Sequence, residues 1–272
     1  MHYWKITIAY DGTPYHGWQI QPSLSTVQGT LAEVLRHITG EEVLPQGSGR
    51  TDTGVHALGQ VASVSLQSPI PGPNLQRALN HLLPASIRIR SIDATSHNFH
   101  ARHSARRKTY EYRIAPQPVC LPMLAPFVWN CTWPLNLEAM DQAAQYVVGT
   151  HDFTSFAATD PDLAVRNENS QDGSGEPDHE KQREKTAIRT IFASNWYRES
   201  DLLVYRVTGS GFLHHMVRNL VGTLVDVGRG RTPVGSISKI LAARARSAAG
   251  PTAPPHGLFL LHVDYESRDE SH

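Results

Sequence analysis

Strand-like and helix-like patterns alternate along the whole of this 272-residue chain, and this alternation limits the folds it can adopt. Extended, β-rich patterns predict strands over residues 4–10, 60–66, 87–92, 109–115, 186–196, 202–208 and 258–263. Apolar residues at helical spacing predict helices over residues 26–38, 74–83, 137–148, 213–227 and 236–243. Thr26 and Asn136 are predicted N-caps. Because both halves mix strands with helices, we expect an α+β protein with two lobes, residues 1–104 and 105–265.

The formal net charge of zero hides an uneven distribution of charge. Residues 160–184 hold eight acidic and three basic side chains, and outside them 22 basic side chains face 17 acidic ones. A basic body rich in arginine favours a nucleic-acid partner, although a mixed-charge surface of ordinary kind fits the same numbers. The polar, acidic segment 160–184 predicts a mobile insertion, and residues 266–272 predict a disordered tail.

Several classes of protein are disfavoured by the sequence. The apolar runs are far shorter than the roughly 20 residues that span a membrane, and the beginning lacks an apolar signal region, so we expect a cytoplasmic protein. Cys120 and Cys131 fit no metal-ligand spacing. The histidines at 97, 100 and 103 are accompanied by no acidic or cysteine ligand in a known pattern, so we expect no metal.

The stretch with the clearest chemical content is Gly47–Ala57, in which glycines flank Arg50, Thr51 and Asp52. Glycines let a ligand approach the backbone closely. In an extended chain Arg50 and Asp52 project from the same face, and the cation favours an ionised carboxylate. An anionic carboxylate in a tight loop suits a nucleophile or a stabiliser of positive charge. A surface turn with a local ion pair is the alternative.

Residues 49–61 also resemble the active-site signature of the TruA pseudouridine synthases. Further segments resemble the same family in the same order, namely residues 10–19, 99–102, 107–112, 211–219 and 253–258. The resemblance implies the pseudouridine synthase fold, in which two similar lobes with mainly antiparallel mixed sheets form a central cleft and carry helices on their outer faces. It also implies a homodimer that uses no metal or organic cofactor. The implied reaction is isomerisation of uridine to pseudouridine at tRNA positions 38, 39 and 40 in the anticodon stem-loop.

The resemblance assigns roles to individual residues. Asp52 is the expected catalytic nucleophile and Arg218 its ion-pair partner, while Tyr110 stacks on the target base and Leu258 packs in the pocket. Further substrate contacts are expected from three arginines, which are Arg50 beside the aspartate and Arg102 and Arg107 of the basic run before Tyr110.

These roles fit elementary chemistry, although each residue has a simpler interpretation. A base inside a folded stem-loop must be flipped out, and a flipped base needs an aromatic platform such as Tyr110. Tyr110 could equally be a core strand residue, and Arg218 could be a helix-edge side chain reaching water. Two other functions remain open, namely a non-catalytic RNA-binding module and a small-molecule glycosidase or nucleosidase, which would normally need a second carboxylate.

Overall fold

The computed structural model describes residues 1–158 and 186–265. The predicted acidic insertion at 160–184 and the predicted tail at 266–272 lie outside the described residues. The strands are β1 (His2–Tyr10), β2 (Gln46–Gly47), β3 (His56–Leu66), β4 (Ile87–Ala94), β5 (Ala105–Ala115), β6 (Trp129–Asn130), β7 (Gly149–Asp152), β8 (Ile188–Glu199), β9 (Leu202–Gly209) and β10 (Leu258–Tyr265). The α-helices are α1 (Val27–Thr39), α2 (Gly72–Leu82), α3 (Leu137–Gln145), α4 (Met216–Gly228) and α5 (Ser236–Ala243). The predicted α+β class is confirmed.

The chain forms two compact units that are each discontinuous in sequence. The first unit contains Met1–Trp133, Tyr197–Thr208 and the segment that begins at Pro254, and the second contains Pro134–Trp196 and Gly209–Ala253. Neither unit begins or ends near residue 104, because β5 pairs with β10 and joins the sheet that also contains β1 to β4. The division into lobes 1–104 and 105–265 stays a prediction.

A mixed sheet forms the first unit, with the strand order β4-β1-β3-β10-β5-β9. β1 pairs antiparallel with both β3 and β4, and β10 pairs antiparallel with β5. The contact between β3 and β10 is parallel, and β2 and β6 are short strands beside β3 and β5. The strand β3, which follows the loop with Asp52, is therefore central, between β1 and β10.

The helices of the first unit begin and end where their sequence dictates. The Thr26 side chain accepts a hydrogen bond from the Gly29 amide and caps α1, which ends at Gly40 in a left-handed conformation. The α2 helix ends before Pro84, as predicted, with Leu83 already extended. It packs against β4 and α1 through its buried apolar face.

In the second unit α3 packs against the strongly apolar α4, and β7 pairs antiparallel with β8. Asn136 caps α3, as predicted. The prediction that α3 continues to Val148 is wrong, because the chain tightens into a turn after Gln145 and reaches Gly149 at a φ of +110°. The predicted beginning of α4 at Leu213 is also wrong. His215, with a φ of 58°, is left-handed and interrupts any helix before Met216.

The short strands β2, β6 and β7 were not predicted, since two to four residues carry too little alternation to recognise. Among the described residues, none of the helices is long and apolar enough to cross a membrane.

Candidate active site

The loop between β2 and β3 carries Asp52 and is fixed at its beginning by Gln60 of β3. Gln60 is fully buried. Its side-chain oxygen accepts a hydrogen bond from Ser48 Oγ at 2.7 Å, and its side-chain nitrogen donates to the Gly49 carbonyl at 2.9 Å. The Ser48 amide donates to the Val61 carbonyl at 2.7 Å. Because both partners belong to a central strand, the loop leaves the sheet at a defined point.

Thr51 anchors the middle of the loop through both its side chain and its backbone. The hydroxyls of Thr51 and Tyr10 are hydrogen-bonded at 2.8 Å, and the Thr51 carbonyl accepts from the Trp18 amide at 3.1 Å. Thr51 is buried, whereas its neighbours differ, since Arg50 is exposed and Asp52 is half-buried. Burial therefore alternates along the loop, with the two charged residues on the outer side.

The chain turns directly after Asp52. The Val55 amide donates to the Asp52 carbonyl at 3.1 Å. Gly54 lies between them with a φ of 74°, in the left-handed region that glycine enters without strain. Asp52 is thus held between a buried, hydrogen-bonded threonine and a tight turn, and its backbone has little freedom to move.

A row of residues in register crosses the sheet beside this loop. Tyr10 lies opposite Ala57, Ala57 beside Leu260, and Leu260 opposite Tyr110. Paired residues project from the same face of a sheet, so the two tyrosines share one face. Burial raises the pKa of Tyr110 well above that of a free phenol, and electrostatic interactions with Tyr10 and Asp52 raise that pKa further. Tyr110 therefore stays protonated, and it interacts electrostatically with the Asp52 carboxylate.

Lys108, the last residue of the basic run before Tyr110, contacts this loop. Its Nζ donates a hydrogen bond to the Ser48 carbonyl at 2.5 Å. A Cβ atom at Gly49 would lie 2.9 Å from the same Nζ, so this glycine makes room for the lysine. Lys108 is two residues before Tyr110 on β5, and this spacing, which places both on one face, is the signal that could have found it.

Leu258 and Tyr112 continue the same face of the sheet, with Leu258 opposite Tyr112 in register. Leu258 is 5% exposed, and Tyr112 is fully buried. The Tyr112 hydroxyl donates to the Pro254 carbonyl at 2.8 Å. A Cβ at Gly257 would lie 2.7 Å from the Tyr112 ring, so the segment directly before β10 packs on this tyrosine. Tyr112 is thus a core residue, and Tyr110 is the tyrosine beside Asp52.

His56 holds the end of the loop from the opposite face of the sheet. Its Nδ1 accepts from the Gly12 amide at 3.0 Å, and its Nε2 lies 3.1 Å from the His256 carbonyl. Burial lowers the pKa of His56, although the nearby Asp11 carboxylate acts in the opposite direction. A neutral imidazole with its proton on Nε2 satisfies both contacts. His56 therefore links the segment after β1 and the segment before β10 to β3.

The remaining candidate residues lie at different places. Arg102 and Arg107 are exposed, and Arg107 lies opposite Asp264 in the strand register. Arg107 and Thr109 are two residues apart on β5 and therefore share one face of the sheet. This face is opposite to that of Tyr110, and on it the Thr109 hydroxyl lies 2.8 Å from the Thr208 hydroxyl. Arg218 belongs to the second unit, where it is half-buried on α4 and its Nε donates to the Ala253 carbonyl at 2.8 Å.

Comparison with known proteins agrees with the motifs. A family model described as tRNA pseudouridine synthase matches residues 6–104 and 174–266. These segments include Asp52, Arg218 and Leu258, while Tyr110 falls between them.

The chain is also similar over nearly its whole length to proteins with one shared name. It is 46% identical to "tRNA pseudouridine synthase A" of Solibacter usitatus (strain Ellin6076) over 96% of this chain and 98% of that protein. It is 42% identical to the protein of that name from Moorella thermoacetica over 96% of this chain and 98% of the relative. The corresponding protein of Rhodopseudomonas palustris is 40% identical over 96% of this chain and 99% of the relative.

Proposed function

Because the chain belongs to the tRNA pseudouridine synthase family, we propose that it isomerises uridine to pseudouridine at positions 38, 39 and 40 in the anticodon stem-loop of tRNAs. The observation that supports this chemistry in the structure is the glycine-framed loop, which holds Asp52 beside the buried Tyr110. A non-catalytic RNA-binding module would have no use for a carboxylate fixed in this way.

The reaction breaks the bond between C1′ and N1, turns the uracil, and forms a bond between C1′ and C5. N1 gains a proton and C5 loses one, so the product is an isomer of the substrate. Asp52 can attack the sugar, attack the base or remove a sugar proton, and all three routes need an ionised carboxylate at a fixed place. The backbone restraints on both sides of Asp52 supply the fixed place.

The other proposed roles concern the substrate. Tyr110 provides an aromatic platform for a base that has left its stack, and its raised pKa keeps the phenol neutral. Leu258, on the same face of the sheet, packs against the flipped base. Arg218 pairs with Asp52. Phosphate or sugar contacts come from Arg50, Arg102 and Arg107, which are all exposed.

We further propose that the protein acts in the cytoplasm as a homodimer and needs neither a metal nor an organic cofactor. These features follow the family resemblance, and the chemistry above has no step that needs a redox group or a Lewis acid.

The decisive experiment is Asp52→Asn, assayed on an unmodified tRNA transcript carrying tritium at C5 of uridine. Tritium release should fall at least ~10³-fold, because all three routes need an ionised carboxylate, which the amide lacks, while tRNA affinity changes little. The control is Asp93→Asn, an exposed carboxylate that pairs with Lys5 and should leave tritium release unchanged.

Three outcomes would contradict the proposal in different ways. Asp52→Asn turnover within about tenfold of the wild type would remove Asp52 from the central role. Wild-type protein that binds tRNA without releasing tritium would indicate an RNA-binding module. Release of free uracil would indicate a nucleosidase.

A further inference from the structure

A buried polar network lies beneath the loop that carries Asp52. Its members are almost inaccessible to solvent, with exposed fractions of 0% for Ser48, 4% for Tyr10, 6% for Thr51 and 0% for Gln60. Buried polar groups cost free energy unless they are hydrogen-bonded, so each member of such a network needs a hydrogen-bond partner.

The hydrogen bonds of the network run in a chain from β3 to the loop. The Gln60 side-chain oxygen accepts from Ser48, and its nitrogen donates to the Gly49 carbonyl and, at 3.5 Å, to the Tyr10 hydroxyl. The Tyr10 hydroxyl in turn lies 2.8 Å from the Thr51 hydroxyl. Since the Tyr10 oxygen accepts from Gln60, its own proton can be donated to Thr51.

Tyr10 remains a neutral phenol over the range in which enzymes are assayed. Burial raises its pKa to about 12, in spite of hydrogen bonds with Thr51 and Gln60 that act in the opposite direction. The hydroxyl therefore keeps the proton that the contact with Thr51 uses.

The contact with Thr51 restricts where Asp52 can point. Thr51 immediately precedes Asp52 and is held at two atoms, its hydroxyl by Tyr10 and its carbonyl by the Trp18 amide. In an extended chain successive side chains point to opposite sides, so a threonine held against the core directs the next side chain outward. The turn at Val55 then restrains Asp52 from its other end.

We propose that Tyr10 is a positioning residue, whose hydroxyl holds Thr51 in place and thereby aims the Asp52 carboxylate at the substrate. This inference rests on the proposed function. Tyr10 touches neither the substrate nor Asp52 in this role. Displacing a reacting group by about 1 Å can cost roughly 10²-fold in rate, so a single hydroxyl at this place can matter to kcat.

The experiment compares Tyr10→Phe, Thr51→Val and the double variant, each of which keeps the shape of the side chain. Each single variant should lower kcat by roughly 10-fold or more and leave KM for tRNA within about twofold, because the contact orients the carboxylate and does not bind RNA. The double variant should be no worse than the poorer single variant, since both changes break the same contact. Thr51→Ser, which restores a hydroxyl, should recover most of kcat.

A matched control removes the same atom elsewhere in the same unit. The Tyr15 hydroxyl lies 2.7 Å from Ser86 Oγ, so Tyr15→Phe also breaks a hydroxyl–hydroxyl contact. It should leave kcat unchanged. Amide hydrogen exchange supplies a readout that does not depend on activity. Peptides covering residues 48–55 should exchange faster in Tyr10→Phe and Thr51→Val but not in Tyr15→Phe.

The outcomes separate this inference from the proposed function. Wild-type protein that makes no pseudouridine would overturn the proposed function. Active wild type together with a Tyr10→Phe kcat within twofold, or with losses that multiply in the double variant, would overturn the positioning role alone. A loss of kcat that only follows the unfolded fraction at the assay temperature would overturn it as well, since Tyr10 would then be a core residue and nothing more.

Discussion

At the scale of single residues, Gly17 shows how the absence of a side chain shapes the site. Its φ is +83°, and a Cβ atom there would lie 2.5 Å from the Thr51 carbonyl oxygen and 3.2 Å from the Asp52 carbonyl carbon. The segment before α1 can therefore support the loop only if residue 17 has no side chain. Gly40, at the end of α1, has a similar φ of +73° and nothing within 4 Å of its would-be Cβ.

These two glycines allow backbone strain to be separated from collision. Gly40→Ala should cost about 1–2 kcal/mol of unfolding free energy, the price of a left-handed alanine, and leave pseudouridine formation per folded molecule unchanged. Gly17→Ala should cost more and also lower kcat, because the Thr51 backbone must move. Urea unfolding and tritium release measure the two effects. Equal losses of stability and unchanged kcat in both variants would contradict the role given to Gly17.

Among the candidate site residues, a local motif marks only some, and Tyr110, Arg218 and Leu258 were expected from the family resemblance alone. Asp52 and Arg50 stand in a glycine-framed stretch that is recognisable by itself. The supports of that stretch are not local, since Tyr10 lies 41 residues before Thr51 and Lys108 lies 60 residues after Ser48. Such contacts are created by strand order and register, which the periodicity of a single strand does not contain.

At the scale of elements, the two faces of β5 make different contacts. Lys108 and Tyr110 face the Asp52 loop. Glu111 projects from the opposite face, where it is 2% exposed and accepts hydrogen bonds from two guanidinium groups, Arg113 at 2.9 Å and Arg206 of β9 at 2.6 Å. The buried carboxylate thus fastens β9 to β5 behind the strand that presents Tyr110.

The Glu111 cluster should therefore contribute to stability. Glu111→Gln keeps the shape but removes the charge that both arginines share, and we expect a loss of about 2 kcal/mol in unfolding free energy. That value is below the cost of breaking a fully buried pair, because both arginines are partly exposed and can be hydrated. The control is Glu33→Gln, an exposed carboxyl on α1, which should change stability by less than about 0.5 kcal/mol. Similar urea midpoints for both variants would mean that the cluster contributes little.

The elements themselves were more predictable than the site. The bounds of α5 agree with the predicted range, and the long strands and capped helices appear where periodicity and cap residues predict them. β3 and β5 each begin four residues earlier than predicted, and the wrong beginning of α4 depends on a single unusual backbone conformation, the left-handed His215. Residue type gives little indication of such a conformation when the residue is not glycine.

At the scale of the whole molecule, charge distribution matters more than net charge. Outside residues 160–184 the chain has an excess of basic side chains, and its phosphate-binding capacity should come from exposed arginines. Arg102 and Arg107 both lie near the beginning of β5, but Arg107 projects from the face opposite to Tyr110. A substrate that reaches both must extend beyond the face that carries Asp52 and Tyr110.

The salt dependence of tRNA binding tests this extended contact. Each phosphate contact that is lost should make the slope of log affinity against log salt less steep by about 0.7–0.9, measured between about 50 and 200 mM salt. We therefore expect Arg102→Gln and Arg107→Gln each to reduce the slope by about one such step and the double variant by two. Arg36→Gln is the control, because Arg36 is exposed and pairs with Glu42 at the end of α1. If Arg107→Gln behaves like Arg36→Gln while Arg102→Gln reduces the slope, Arg107 has no part in holding the bound RNA, and the extended contact is wrong.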